Sequence, residues 1–162
     1  MIAVLDSNAV IGLAKGECLE LLRGVFRKVL IPTVVRREVI EEGVGRPGSR
    51  ELRAALGEWI EERTPTNKRI NPSVPATSPE DQEVLRLAAE CGAVLVTDDS
   101  ALRSEAARLE ILTIGTVEAV ILLKQKEVIP AVKPVLDLMQ ARAHHIAPTF
   151  YEQALLAAGE AP

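Results

Sequence analysis

Short strand-like runs, apolar almost throughout, recur along this chain, and two of them end directly on aspartate. Ile2-Ala3-Val4-Leu5 is followed by Asp6, and Ala93-Val94-Leu95-Val96-Thr97 by Asp98-Asp99. Val29-Leu30-Ile31, closed by Pro32, and Ile111–Ile114, closed by Gly115, are further runs of this kind. A strand without polar alternation has no wet face, so it belongs in a sheet covered on both sides, as parallel strands are. Between the runs lie helical patterns. They are expected over the stretch after Asp6 up to Gly16, Cys18–Phe26, Thr33–Glu42, Ser49–Leu56, Pro79–Cys91, Ser100–Leu109, Thr116–Lys126, Pro130–Ala143 and Thr149–Ala158. Trp59–Thr64 reads as an edge strand or a helical continuation, and Thr64–Pro79, with four prolines, as a long loop. Strand and helix in alternation predict an α/β fold with a parallel sheet, whose sites form at the carboxyl ends of the strands. The expected organisation is a single domain over residues 1–162. Its α/β core spans 1–126, and a helical extension follows over 127–162.

The 162 residues are enough to bury roughly 70% of the unfolded surface, and 48% of them are apolar, which argues against disorder. Four aromatics (Phe26, Trp59, Phe150 and Tyr151) leave the core to Leu, Val, Ile and Ala, and supply little for an aromatic base-stacking platform. A net charge of −4 excludes a chain-wide basic footprint. No apolar run approaches the ~20 residues of a membrane span. Nor does the opening have the charged region and cleavage site of a signal peptide. Cys18 and Cys91 are far apart, with no zinc-ligand spacing. The expected setting is the reducing cytoplasm.

Acidic residues are distributed unevenly: eighteen Glu against five Asp. Glu tolerates helix interiors better than Asp does, so the positions of the five Asp are informative. Asp6, Asp98 and Asp99 follow strands, and Asp81 opens a helix. Parallel, adjacent strands would bring Asp6 and the Asp98-Asp99 pair side by side. Helical arithmetic puts Glu38 about 40° from Val34, between Val34 and Val35, on the face expected to pack inward. Asp81 falls beside Ala88 on the apolar stripe of its own helix. Each acid also has a plainer role. Asp6 and one of Asp98 and Asp99 suit helix caps, Ser78-Pro79-Glu80-Asp81 suits a capping box, and Glu38 suits a solvated helix face. Capping, however, needs one acid per helix and gives no reason for Glu38 to face inward. Two like charges 4 Å apart repel by about 4 kcal/mol at an effective dielectric near 20. A shared pocket of such groups therefore needs a cation or shifted pKa values. All-oxygen ligands suit Mg²⁺ or Mn²⁺, the chemistry of phosphodiester hydrolysis.

The residues that carry this pattern resemble a known family. Val4-Leu5-Asp6-Ser7-Asn8 resembles the opening of PIN-domain nucleases. Glu38 matches their helix glutamate, and Asp81 with Val84-Leu85 and Ala88 their third acid. Val94-Leu95-Val96-Thr97-Asp98-Asp99 resembles their strand ending in Thr-x-Asp. From about 126 onward the tail is similar to a prokaryotic PIN-like subgroup with two extra C-terminal helices. The resemblance implies a three-layer α/β/α sandwich and Mg²⁺- or Mn²⁺-dependent cleavage of RNA. It further implies a homodimer and, as in VapC-type toxins, an antitoxin partner. It makes Asp6, Glu38, Asp81 and Asp99 catalytic metal ligands, directly or through water, with Asp98 an auxiliary ligand and Asn8 and Thr97 orienting the carboxylates. Where the subgroup carries Gly-Glu this chain has Glu80-Asp81, which leaves Glu83 as an alternative third acid. A catalytically inert interaction module of the same fold is the alternative function.

Other features carry less. Gly43-Val44-Gly45-Arg46-Pro47-Gly48 satisfies GxGxxG but follows a helix, not a strand, and is read as a loop. Arg46, Arg50 and Arg53, near Arg36 and Arg37, are candidate RNA contacts, with a solvated surface as the plainer reading. His144-His145 read as helix-end residues without metal-ligand partners at suitable spacing. Ser7 has no histidine near it in sequence for a hydrolase triad. A dehalogenase-type phosphatase needs Asp-x-Asp after the first strand, and here position 8 is Asn. A receiver domain needs its acidic pair after the first strand, the reverse of what is found.

Overall fold

The computed structural model describes residues 1–72 and 78–162. Five strands, β1 (Ile2–Leu5), β2 (Lys28–Ile31), β3 (Ile60–Glu62), β4 (Val94–Val96) and β5 (Thr113–Ile114), form one sheet. Its order is β3-β2-β1-β4-β5, and every pairing is parallel. The first strand lies at the centre: Ala3 pairs with Val29 on one side and with Val94 on the other. Ala3, Val4 and Leu5 are all 0% exposed. Successive strand side chains point to opposite faces, so both faces of β1 are covered, and the expected three-layer α/β/α arrangement is the observed one. Truncating a side chain such as Leu5 to Ala would cost about 2–5 kcal/mol.

The helices are α1 (Ser7–Lys15), α2 (Thr33–Arg36), α3 (Ser49–Ala55), α4 (Pro79–Cys91), α5 (Ser100–Arg108), α6 (Thr116–Gln125), α7 (Lys133–Ala141) and α8 (Pro148–Ala157). Two expected helices are remodelled. Only a 3₁₀ turn, Glu20–Gly24, forms within Cys18–Phe26. The helix expected over Thr33–Glu42 is α for four residues and then widens into a π turn, Arg37–Glu41, a departure of the kind that re-aims side chains at functional sites. Trp59–Thr64 resolves as the edge strand β3. The proline-rich loop is described on either side of residues 73–77, which lie outside the described residues.

Helix caps fix where the chain turns off the sheet. Asp6 accepts from Ala9 N at 2.7 Å to start α1, and Asp99 from Leu102 N at 2.8 Å to start α5. Ser78 accepts from Asp81 N at 3.1 Å to start α4, with Pro79 at its first position. Such caps are worth about 1 kcal/mol each. α4 packs on β1 and β4 and meets α2, whereas α1 packs with α3, α6 and α7. Leu136 and Met139 of α7 and Ala154 and Leu155 of α8 are buried in the same apolar cluster as the sheet. Glu160 ties the tail down by accepting from Lys124 Nζ at 3.0 Å, Val132 N at 2.8 Å and Lys133 N at 3.0 Å. Among the described residues no helix is long and apolar enough to cross a membrane.

Candidate functional site

The strand order reverses direction between β1 and β4. In an open parallel sheet that reversal leaves a crevice beyond the carboxyl ends of the two strands. Asp6 leaves the end of β1 and Thr97-Asp98-Asp99 the end of β4. α2 with its π turn and the start of α4 close the other walls. The result is a hollow of about 100 Å³ lined by five carboxylates, Asp6, Glu38, Glu80, Asp81 and Asp99, with Ser7, Asn8, Val34, Val35 and Val84. No Lys, Arg or His is among these lining residues.

Asp6 forms the floor. It is 7% exposed, and burial pushes its carboxyl from an ordinary 3.8 up to about 6. The Thr97 hydroxyl and Ala9 N–H pull the other way, while the charges of Asp98 and Asp81 add to the rise. Thr97, fully buried, donates its hydroxyl to Asp6 Oδ2 and accepts Asp99 N at 3.1 Å. One hydroxyl, with one hydrogen and two lone pairs, thus locks the ends of β1 and β4 to each other. Glu38 is held on the opposite wall by Ser7 Oγ at 2.5 Å. Asp99 spends Oδ1 on its helix cap, so capping and facing the hollow coexist in one side chain. Asp81, half-buried, and Asp99, exposed, stand nearer the rim.

The donor chemistry is that of a hard dication: oxygen only, net negative, on a floor carboxylate that burial already makes reluctant to ionise. The volume leaves room for an ion with several waters. Among the described residues no three His, Cys, Asp or Glu side chains stand close enough together to grip an ion outright. A hard cation held here would have to keep part of its water shell.

Not every expected residue comes to this hollow. Asp98 turns aside. Its Oδ1 accepts Thr116 N and its Oδ2 accepts Thr116 Oγ1, both at 2.7 Å, at the start of α6, and its Oδ2 lies 3.7 Å from His144 Nε2. That same contact gives His144 an aspartate neighbour which sequence spacing hid. Burial lowers the His144 pKa from its ordinary value, against the pull of Asp98. Glu83 lines a separate groove with Lys68 and Arg86. Arg46, Arg50 and Arg53 are exposed and do not line the acidic hollow, and Arg50 instead lines a groove with Glu17, Glu20, Glu51 and Glu58. Two lining residues escaped the sequence reading. Ser7, part of the Asp6-Ser7-Asn8 motif but without an assigned role there, carries a hydroxyl directly behind a strand-end Asp, where it is placed to orient a neighbouring acid. Glu80 was absorbed into the capping pattern of α4.

A family model described as DUF3368: PIN domain matches residues 2–160. No curated protein matches the chain. Among solved structures, the fold is similar to that of a PilT N-terminus domain protein from the archaeon Sulfolobus solfataricus P2. The two share 18% identity with a TM-score of 0.50, over 91% of this chain and 98% of that one. It is also similar to the PIN domain endonuclease Utp24, at 17% identity and a TM-score of 0.51, over 70% of this chain and 84% of that one. A domain of a functionally unknown protein from Methanocaldococcus jannaschii shares 20% identity with a TM-score of 0.50, over 70% of this chain and 89% of that one. At such identities the likeness is one of fold.

Proposed function

The chain belongs to the PIN-domain family described as DUF3368, and on that premise we propose that it is a divalent-metal-dependent endoribonuclease that hydrolyses RNA phosphodiesters at the acidic hollow. The observation that carries the reading is five carboxylates lining one hollow with no cationic side chain among them. A fold shared with Utp24, an endonuclease by its description, supports it. In this reading Asp6, Glu38, Asp81 and Asp99 hold Mg²⁺ or Mn²⁺, directly or through water, and Glu80 adds charge at the rim. When bound, the ion would lower the pKa of a coordinated water and offset charge growing on the phosphoryl oxygens.

The chain's own residues supply position. Thr97 fixes Asp6 through its hydroxyl, and Ser7 fixes Glu38. Both carboxylates are oriented before any ligand arrives, so less side-chain freedom is lost on binding. Asn8, exposed on the rim, is placed to donate its amide to an RNA phosphate or to orient a neighbouring acid. The resemblance to VapC-type toxins extends the proposal to a cytoplasmic toxin acting as a homodimer and restrained by an antitoxin protein.

A second reading is a catalytically inert module of the same fold. It is favoured by one observation: the described acids do not close into a ready metal-gripping group. Titration with Mn²⁺, followed by calorimetry and by cleavage of a single-stranded RNA, separates the two. Expected is saturable Mn²⁺ binding with cleavage, both lost in Asp6→Asn while circular dichroism is unchanged. Cleavage by Asp6→Asn at the wild-type rate would overturn the ribonuclease assignment, and absence of Mn²⁺ binding by the wild type would favour the inert module.

A further inference from the structure

Beside the acidic hollow lies a second and larger one, of about 420 Å³, and Asn8 lines both. Its inner wall is α1 and the start of α6, and its outer wall is built by the C-terminal extension, through His144 and His145 between α7 and α8 and Phe150 of α8. Its cations are Lys15 from α1 and Arg103 from α5.

The position of His144 is built with care. Its Nε2 lies 3.3 Å from Thr116 Oγ1, and Thr116 is in turn fixed by Asp98. Two glycines clear the space. A β-carbon at Gly12 would stand 2.7 Å from His144 Cε1, and one at Gly115 would stand 2.7 Å from Asp98 Oδ1. Gly12 lies inside α1, where glycine is a poor helix former, so the close approach of the ring is what the position serves. Phe150, by contrast, is 42% exposed in a chain with only four aromatics. Asp98 is the one carboxylate among these lining residues, and Thr116 occupies both of its oxygens. Asp98 keeps its negative charge while accepting these neutral donors, so Lys15 and Arg103 leave the lining residues one positive charge in excess, and Arg103 also leans on Glu118 at 3.4–3.5 Å.

We propose that this second hollow seats the nucleotide flanking the scissile phosphate of single-stranded RNA, its base stacked on Phe150 and its phosphate drawn by Lys15 and Arg103. The proposal rests on the ribonuclease reading above and goes beyond it by giving the C-terminal extension a task. The volume lies within the range of small-ligand pockets, whereas the acidic hollow has room for little beyond an ion and its water. A base can enter only when unstacked, which selects single strands over duplex. The cations also offset the repulsion that the neighbouring carboxylates impose on an incoming phosphate.

The test needs no catalysis. Two His, two Phe, one Tyr and one Trp give few ring resonances, so adenosine, cytidine, guanosine and uridine 5′-monophosphates are titrated in metal-free buffer and followed by NMR. Expected are saturable shifts of the His144, His145 and Phe150 rings, with Phe26 and Trp59 unmoved, and loss of those shifts in Phe150→Ala. The same substitution is expected to raise KM for a single-stranded oligoribonucleotide about tenfold, with kcat within twofold. Ring shifts without RNA cleavage by the wild type would overturn the ribonuclease reading and leave the nucleotide site standing. Cleavage without ring shifts would overturn the nucleotide site and leave the ribonuclease standing. Equal shifts with inorganic phosphate alone would overturn the base-stacking seat in favour of a bare anion site.

Discussion

Ser7 donates its hydroxyl to Glu38 Oε2 at 2.5 Å, joining the first turn of α1 to the π turn 31 residues further along the chain. A long, half-buried carboxylate is thereby held against the wall of the acidic hollow instead of sweeping through solvent. Ser7→Ala removes the tether and leaves every carboxylate in place. A hydrogen bond of this kind is worth about 1 kcal/mol net. The expected outcome is a three- to tenfold fall in RNA cleavage at fixed Mn²⁺, with thermal stability changed by less than about 1 kcal/mol. Steady-state kinetics and a melting curve measure both, and an unchanged cleavage rate would remove Ser7 from the positioning of Glu38.

Asp81 and Glu83 are two residues apart, and the structure sends them to different places. Asp81 lines the acidic hollow, and Glu83 a groove with Lys68 and Arg86. Asp81→Asn is expected to lower cleavage by a hundredfold or more, on the order of 3 kcal/mol, whereas Glu83→Gln stays within twofold of the wild type. Parallel assays on one RNA decide it. A large effect at Glu83 alone would move the third acid to that position.

Burial raises the Asp6 carboxyl to about 6, from 3.8. In the metal-free protein the folded state therefore keeps a proton that the unfolded chain releases. The stabilisation is fully present below the unfolded value and is lost as pH rises through about 6, a loss of about 3 kcal/mol by neutral pH. The difference in urea midpoint between wild type and Asp6→Asn isolates this group. With chelator present, the wild type is expected to lose ground to Asp6→Asn between pH 4 and 7, and to trail it at pH 8. Mn²⁺ is expected to restore the wild type alone, because an ion that binds only the folded state stabilises it.

Gly12 and His144 are coupled through a single close approach. Gly12→Ala is expected to cost about 1–3 kcal/mol by crowding the ring. In a His144→Ala background the same change should be neutral or favourable, since Ala is the better helix former by about 1 kcal/mol. A double-mutant cycle in urea reads the coupling directly. Additive effects would show that the ring gives way freely.

Much of the site was legible in the sequence because strand-end aspartates in a parallel sheet have few places to go. Val4-Leu5-Asp6 and Val96-Thr97-Asp98-Asp99 announced buried strands ending on acid, and helical spacing put Glu38 beside Val34 and Val35, which share its hollow. The split between the consecutive residues Asp98 and Asp99 was not legible. Backbone direction sends Asp99 to the hollow and Asp98 to Thr116 and His144, and residue type is silent on that choice. Ser7 was equally hidden as a partner of Glu38, because the contact spans 31 residues and depends on a π turn that no periodicity of 3.6 anticipates.

Local alternation of strand and helix, the capping acids and the apolar interior follow from the character of neighbouring residues, and so can be read along the chain. The place of β1 between β2 and β4, which puts Asp6 and Asp99 at one crevice, and the seating of His144 against Gly12 by the C-terminal extension come from the packing of distant elements. Strand order and long-range packing are settled by how whole elements bury their faces against one another, a property of the assembled chain that no short window of residues contains.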